Sequence, residues 1–166
     1  MSSRVAFLPK AAALGAIASG LIGGAVWSID LHDRSDGDDL RWGVWHNPFM
    51  AFDPFCEPFL DISMWALLAC AAAAGLGGLL LLAGNGWGAR LVRWQAAVAI
   101  ATNGAVVVAI ALMASGVLLM DWTGEALALR LGSIAANLVL WWTMRSRAVA
   151  EWVRERSRTG ATGRRR

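Results

Sequence analysis

The chain has 166 residues, 57% of them hydrophobic and only 16% charged, with 18 glycines, 10 tryptophans and no tyrosine, and a mean hydropathy of +0.51. A water-soluble domain of this size carries more charge, so the composition excludes an ordinary soluble fold. The formal net charge of +3 is a poor guide to partners, because acids and bases are segregated along the chain.

Arg4 and Lys10 precede an uncharged run, Ala11–Ile29. At about 1.5 Å per residue it is long enough to cross a hydrocarbon core of about 30 Å. It exceeds the roughly 7–15 apolar residues of a signal peptide, and bulky Trp27 stands where cleavage needs a small residue. A retained helix over about 9–30 is therefore predicted. Gly15, Ser19 and Gly23 recur every four residues, with Ala16, Gly20 and Gly24 alongside. Such a stripe lets helix backbones approach closely, either within the chain or against a partner helix.

An outer loop over 31–60 follows. Residues Asp30–Asp61 hold eight acids against Arg34 and Arg41. The stretch HNPFMAFDPFCEPFLD pairs Pro with Phe three times. Asn47 and Asp53 are helix-capping residues, and Pro48 and Pro54 suit a first helical position. Trp42, Trp45, Phe49 and Phe52 recur at three- and four-residue intervals, and Phe55 and Phe59 extend the aromatic set. The loop is predicted to form short interfacial helices, rings toward the membrane and acids outward. It serves either as a plug over the helix ends or as a docking surface for a partner.

Ile62–Ala89 and Trp94–Met120 are uncharged, and Ala126–Met144 contains Arg130 alone. Helices are predicted at about 61–84, 91–120 and 124–145, giving an all-α, four-helix transmembrane bundle over 1–145. Glycines around Asn85 end the second helix, and a short outer turn near Asp121–Gly124 joins the third to the fourth. Small-residue ladders appear again: Cys70, Ala74 and Gly78; Ala97, Ala101, Ala105 and Ala109; Ala128, Gly132 and Ala136. They point to close helix packing, chiefly within the chain.

Three polar residues fall inside the apolar runs. Asn103 and Asn137 are expected at similar depth on neighbouring antiparallel helices, where their amides can bond to each other. Arg130 is expected to snorkel toward the outer interface, near Glu125 or Asp121, or else to pair with an acid of the 53–61 segment.

Residues 146–166 form a basic tail. With Arg4, Lys10, Arg90 and Arg93 they place both termini and the 85–93 turn in the cytoplasm. The expected location is a bacterial cytoplasmic membrane, and the tail reads as an attractor of anionic lipid headgroups, not of nucleic acid. The chain has neither a C-x-x-C pair nor Cys/His zinc spacing. No cofactor is expected. Haem, a chlorin pigment or calcium would fall to His32, His46 and Asp36, but neither histidine lies in a bundle helix. With Gly37 as the sixth residue of a calcium loop, His32 and Arg34 take ligand positions. No nucleophile and base are paired.

The plan of four helices, a long first outer loop, a short second one and an inner tail resembles that of claudin-type tetraspan proteins. WGVW at Trp42–Trp45 is similar to their Gly-Leu-Trp signature. That family implies a disulfide between two loop cysteines, whereas only Cys56 lies in this loop. The expected function is that of a non-catalytic membrane subunit, assembling with other integral membrane proteins or its own copies. The alternatives are a small transporter component built on Asn103, Asn137 and Arg130, or a pigment- or haem-holding subunit.

Overall fold

The computed structural model describes residues 3–35, 56–114 and 121–163. Among these there are five helices and no strand: α1 (Ser3–Ser35), α2 (Cys56–Leu82), α3 (Gly86–Ala114), α4 (Asp121–Thr143) and α5 (Arg147–Gly163). Three segments are long and apolar enough to cross a membrane: Phe7–Ile29, Asp61–Leu82 and Gly86–Ala109. Leu127–Thr143 of α4 qualifies as a fourth only together with Arg147–Arg156 of α5, across a bend of 57°. These features mark the chain as an integral membrane protein.

Local chemistry sets the breaks. Gly84 takes a left-handed conformation at φ +81°. The Gly84 amide donates to the Leu81 carbonyl (2.9 Å) and the Asn85 amide to that of Leu80 (2.9 Å), the paired bonds of a Schellman ending. Asn85 then caps α3, its Oδ1 accepting from the Trp87 amide at 3.0 Å. At the second break the Ser146 hydroxyl accepts from the Val149 amide at 3.4 Å and opens α5. The residues read from sequence as a basic tail thus include a further helix.

The helices pack in chain order, α1 on α2, α2 on α3 and α3 on α4, while α5 lies against α1 and α3. The α1–α2–α3 contact is made at backbone level by the sequence GLGG. A Cβ on Gly20 would lie 2.6 Å from the Gly75 nitrogen and 2.7 Å from the Ala71 carbonyl oxygen. One on Gly78 would lie 2.7 Å from the Ala13 carbonyl oxygen, and one on Gly77 2.7 Å from Val92 Cγ2. At 100° per residue, Gly75 and Gly78 share one side of α2 and Gly77 faces away from them. One tetrapeptide therefore lets α2 approach helices on two sides.

Two apolar clusters form. Ala12, Ala13 and Ala16 of α1 meet Leu81, Val92, Leu140 and Met144, with Val149 and Trp152 of α5 closing the group. Toward the other end, Trp27 packs with Leu67, Cys70 and Ala99. The outside is as apolar as the inside: Leu21, Trp65, Leu79, Trp94 and Trp142 are all more than half exposed. In water that surface would aggregate, whereas in lipid it is solvated.

Candidate functional site

The polar residues of the apolar runs gather between α1, α3 and α4. Asn103 is completely buried. Its Nδ2 donates to the Ala99 carbonyl at 2.8 Å and to the Ser133 hydroxyl at 3.2 Å. Arg130 is buried too, at 7% exposure. Its Nη1 donates to Asn103 Oδ1 at 3.3 Å, and its guanidinium lies 4.3 Å from the centre of the Trp27 ring. Arg130 and Ser133 stand three residues apart on α4, hence on one face, and together they bracket the Asn103 amide.

Two expectations are corrected here. Arg130 does not snorkel but is buried, as the second of its two expected placements has it; Trp27 on α1 and Asn103 on α3 contact its guanidinium, and the negative face of the indole offsets part of the desolvation. Nor do Asn103 and Asn137 bond to each other. Ser133 takes the place opposite Asn103. Asn137, one turn further along α4, donates back to the Ser133 carbonyl at 2.9 Å. Its Oδ1 is buried without a hydrogen-bond partner, as is Nε2 of Gln95 on α3. Ser133 and Gln95 were missed by the sequence reading. The available signal was the same as for Asn103, a polar residue in an otherwise apolar run.

The small-residue positions divide. Gly20 and Gly78 lie at the tightest α1–α2 approach, and Gly23 is next to it, its added Cβ falling 3.3 Å from Ala71 Cβ. A Cβ on Gly15 would lie 3.8 Å from Leu140 Cδ2, and Ser19 is half-buried. Nothing lies within 4 Å of a Cβ on Gly24 or Gly132. The α2 ladder of Cys70, Ala74 and Gly78 is buried. Ala97, Ala101 and Ala105 of α3 and Ala128, Gly132 and Ala136 of α4 are exposed and Ala109 is half-buried, so these positions are not the buried intrachain contacts that the sequence led us to expect.

Of the aromatic loop residues, Phe59 belongs to α2 and is 37% exposed. Trp42, Trp45, Phe49, Phe52 and Phe55, and with them Asp36 and His46, lie outside the described residues. His32 is exposed near the end of α1. No group of three metal-binding side chains occurs among the described residues.

No family model matches the chain, and no curated protein or solved structure matches it either.

Proposed function

We propose that the protein is a non-catalytic, four-span membrane subunit. In this reading α4 is the fourth span, α5 an interfacial helix, and both ends of the chain are cytoplasmic. The observation that carries it is the outward direction of the α3 and α4 ladders. Small residues confer no gain against lipid, which a leucine would solvate equally well. Their value lies in close backbone contact with another helix. With Ala101, Ala105, Ala128, Gly132 and Ala136 exposed, that helix belongs to a second polypeptide, either another membrane protein or a copy of this one. The acidic aromatic loop, with Trp42, Trp45, Phe49, Phe52, Phe55 and Phe59, supplies a second contact on the outer face.

Mild-detergent purification of the tagged chain from its native membrane tests this. A stable complex is expected, and Gly132→Leu with Ala136→Leu should dissociate it while leaving helix content unchanged. A wild-type protein that is monomeric both in bilayer nanodiscs and in native-membrane extracts refutes the proposal.

The unpartnered Asn137 Oδ1 and Gln95 Nε2 favour one second reading, a polar solute path between α3 and α4. It predicts solute flux in liposomes that Asn137→Leu abolishes.

A further inference from the structure

Two clefts meet at the corner where α3 begins and α4 turns into α5. The first, of about 430 Å³, is lined by Arg90 and Arg93 of α3, Arg145 of the bend and Arg154 of α5, beside Trp87 and Ala150. No acid lines it among the described residues, although Glu151 and Glu155 lie on the same α5 helix. The second, of about 330 Å³, shares Arg93 and Arg145 with the first and is otherwise lined by Trp94, Ala97 and Trp141. Ala97 is four residues beyond Arg93 on α3, and Trp141 four before Arg145 on α4. The second cleft therefore runs about 6 Å further toward the middle of the helices. One end of this composite groove is cationic and the other aromatic and apolar.

We propose that the groove binds one anionic glycerophospholipid, with its phosphodiester among the arginines and an acyl chain along Trp94, Ala97 and Trp141. Three features select this occupant. Four arginines line the first cleft, and the N-termini of α3 and α5 lie beside it with their positive dipole ends. Arg145 stacks 4.6 Å from the Trp141 ring centre and Arg90 5.2 Å from that of Trp87. Stacking holds a guanidinium through its face and leaves the in-plane N–H fork for a phosphate oxygen pair. The apolar continuation separates a lipid from free phosphate, which fills only the first cleft. The inference rests on the bilayer reading of α3 and α4. It adds to a general attraction of basic residues for the membrane surface a single stoichiometric site.

The test uses the full chain, delipidated in neutral detergent and titrated with phosphatidylglycerol, phosphatidylcholine or inorganic phosphate. Native mass spectrometry counts bound lipid, and thermal unfolding reads stabilisation. One phosphatidylglycerol per chain is expected, with stabilisation by that lipid alone. Arg93→Gln with Arg145→Gln should weaken binding roughly 30-fold, from the contribution expected of two arginines near a lipid surface. Arg147→Gln, which lines neither cleft, should weaken it far less than the double variant does. Ala97→Phe keeps every charge and blocks the apolar cleft. It should lower lipid affinity without changing the response to phosphate, which keeps the proposal testable if the double variant misfolds. Equal weakening by Arg147→Gln, or equal stabilisation by phosphate and lipid, overturns the site. A wild type that fails to reconstitute into bilayers refutes the membrane reading, whereas one that reconstitutes but does not discriminate between headgroups refutes only the lipid site.

Discussion

The α1–α2 contact makes a quantitative prediction. Gly20→Ala places a Cβ 2.6 Å from the Gly75 nitrogen, 2.7 Å from the Ala71 carbonyl oxygen and 2.8 Å from the Gly75 Cα, all backbone atoms that cannot rotate away. To restore an ordinary 3.4 Å contact the helices must separate by about 0.8 Å at that level. A radial gap of that size forfeits roughly a quarter to a half of the dispersion energy across the contact. Dispersion is the main attraction available between helices in lipid. The expected loss is about 2 kcal/mol, inside the 1–3 kcal/mol typical of overpacking. Gly78→Ala requires a similar retreat, from the Ala13 carbonyl oxygen at 2.7 Å and the Ile17 nitrogen at 3.0 Å. Because both substitutions move the same two helices apart, the double variant should cost less than the sum, roughly 3 kcal/mol where additivity gives about 4. Gly24→Ala, with nothing within 4 Å of its Cβ, should be neutral or slightly stabilising through helix propensity. Unfolding of the purified chain in mixed micelles by increasing anionic detergent, followed by circular dichroism, measures all four variants against wild type. The reasoning fails if Gly20→Ala unfolds with wild type or if Gly24→Ala costs as much as Gly20→Ala.

A double-mutant cycle of Arg130→Met and Trp27→Leu should return a coupling of about 0.5–2 kcal/mol, the range for a desolvated cation over an indole; a value indistinguishable from zero shows that the 4.3 Å stacking contributes nothing. Gly84→Ala should cost about 1–2 kcal/mol for the left-handed backbone and push α5 outward, since the new Cβ lies 2.7 Å from Arg156 Cβ. Faster tryptic cleavage after Arg154 and Arg156 is the readout, and an unchanged rate contradicts it. Gln95→Leu removes a buried donor without a hydrogen-bond partner and should raise stability by about 1 kcal/mol; a drop in the same unfolding assay means that the amide is bonded in the membrane, to water or to a solute.

The all-helical class and the three long apolar spans were legible because each apolar run is bounded by charge or by glycine and asparagine, and lipid leaves an uncharged run of that length no alternative to a helix. The sequence reading failed where sidedness matters. Gly15, Ser19 and Gly23 form as regular a row as Gly20 with its neighbours, yet among the α1 glycines it is Gly20 whose added Cβ would meet the backbone of α2. A surface bathed in lipid has no polar face to break that symmetry. The contacts of Arg130 with Trp27 and Asn103 were missed for a related reason. Its distance from the chain's charged turns was visible, but the Trp27 ring that receives it lies about a hundred residues away, on α1. The helix α5 was obscured by composition, since charge density along Arg145–Arg166 dominates the alternation of Val149, Trp152 and Val153 with charged neighbours.

That last helix changes the meaning of the basic segment. Val149 and Trp152 are buried against Ala12, Ala13, Leu81 and Val92, and the Trp152 ring receives Arg156 at 4.7 Å and Lys10 at 5.9 Å. Because α5 touches α1 as well as α3, it joins the first span to the third at the end where the lipid groove opens. A ligand seated among Arg90, Arg93, Arg145 and Arg154 would touch α3, the bend and α5 at once. Binding there favours the docked α5 over any detached arrangement by its differential affinity for the two. Headgroup composition then becomes a variable that the α1–α3–α5 corner can sense, whereas the Arg130, Asn103 and Trp27 cluster, shut inside the helices, remains insensitive to it.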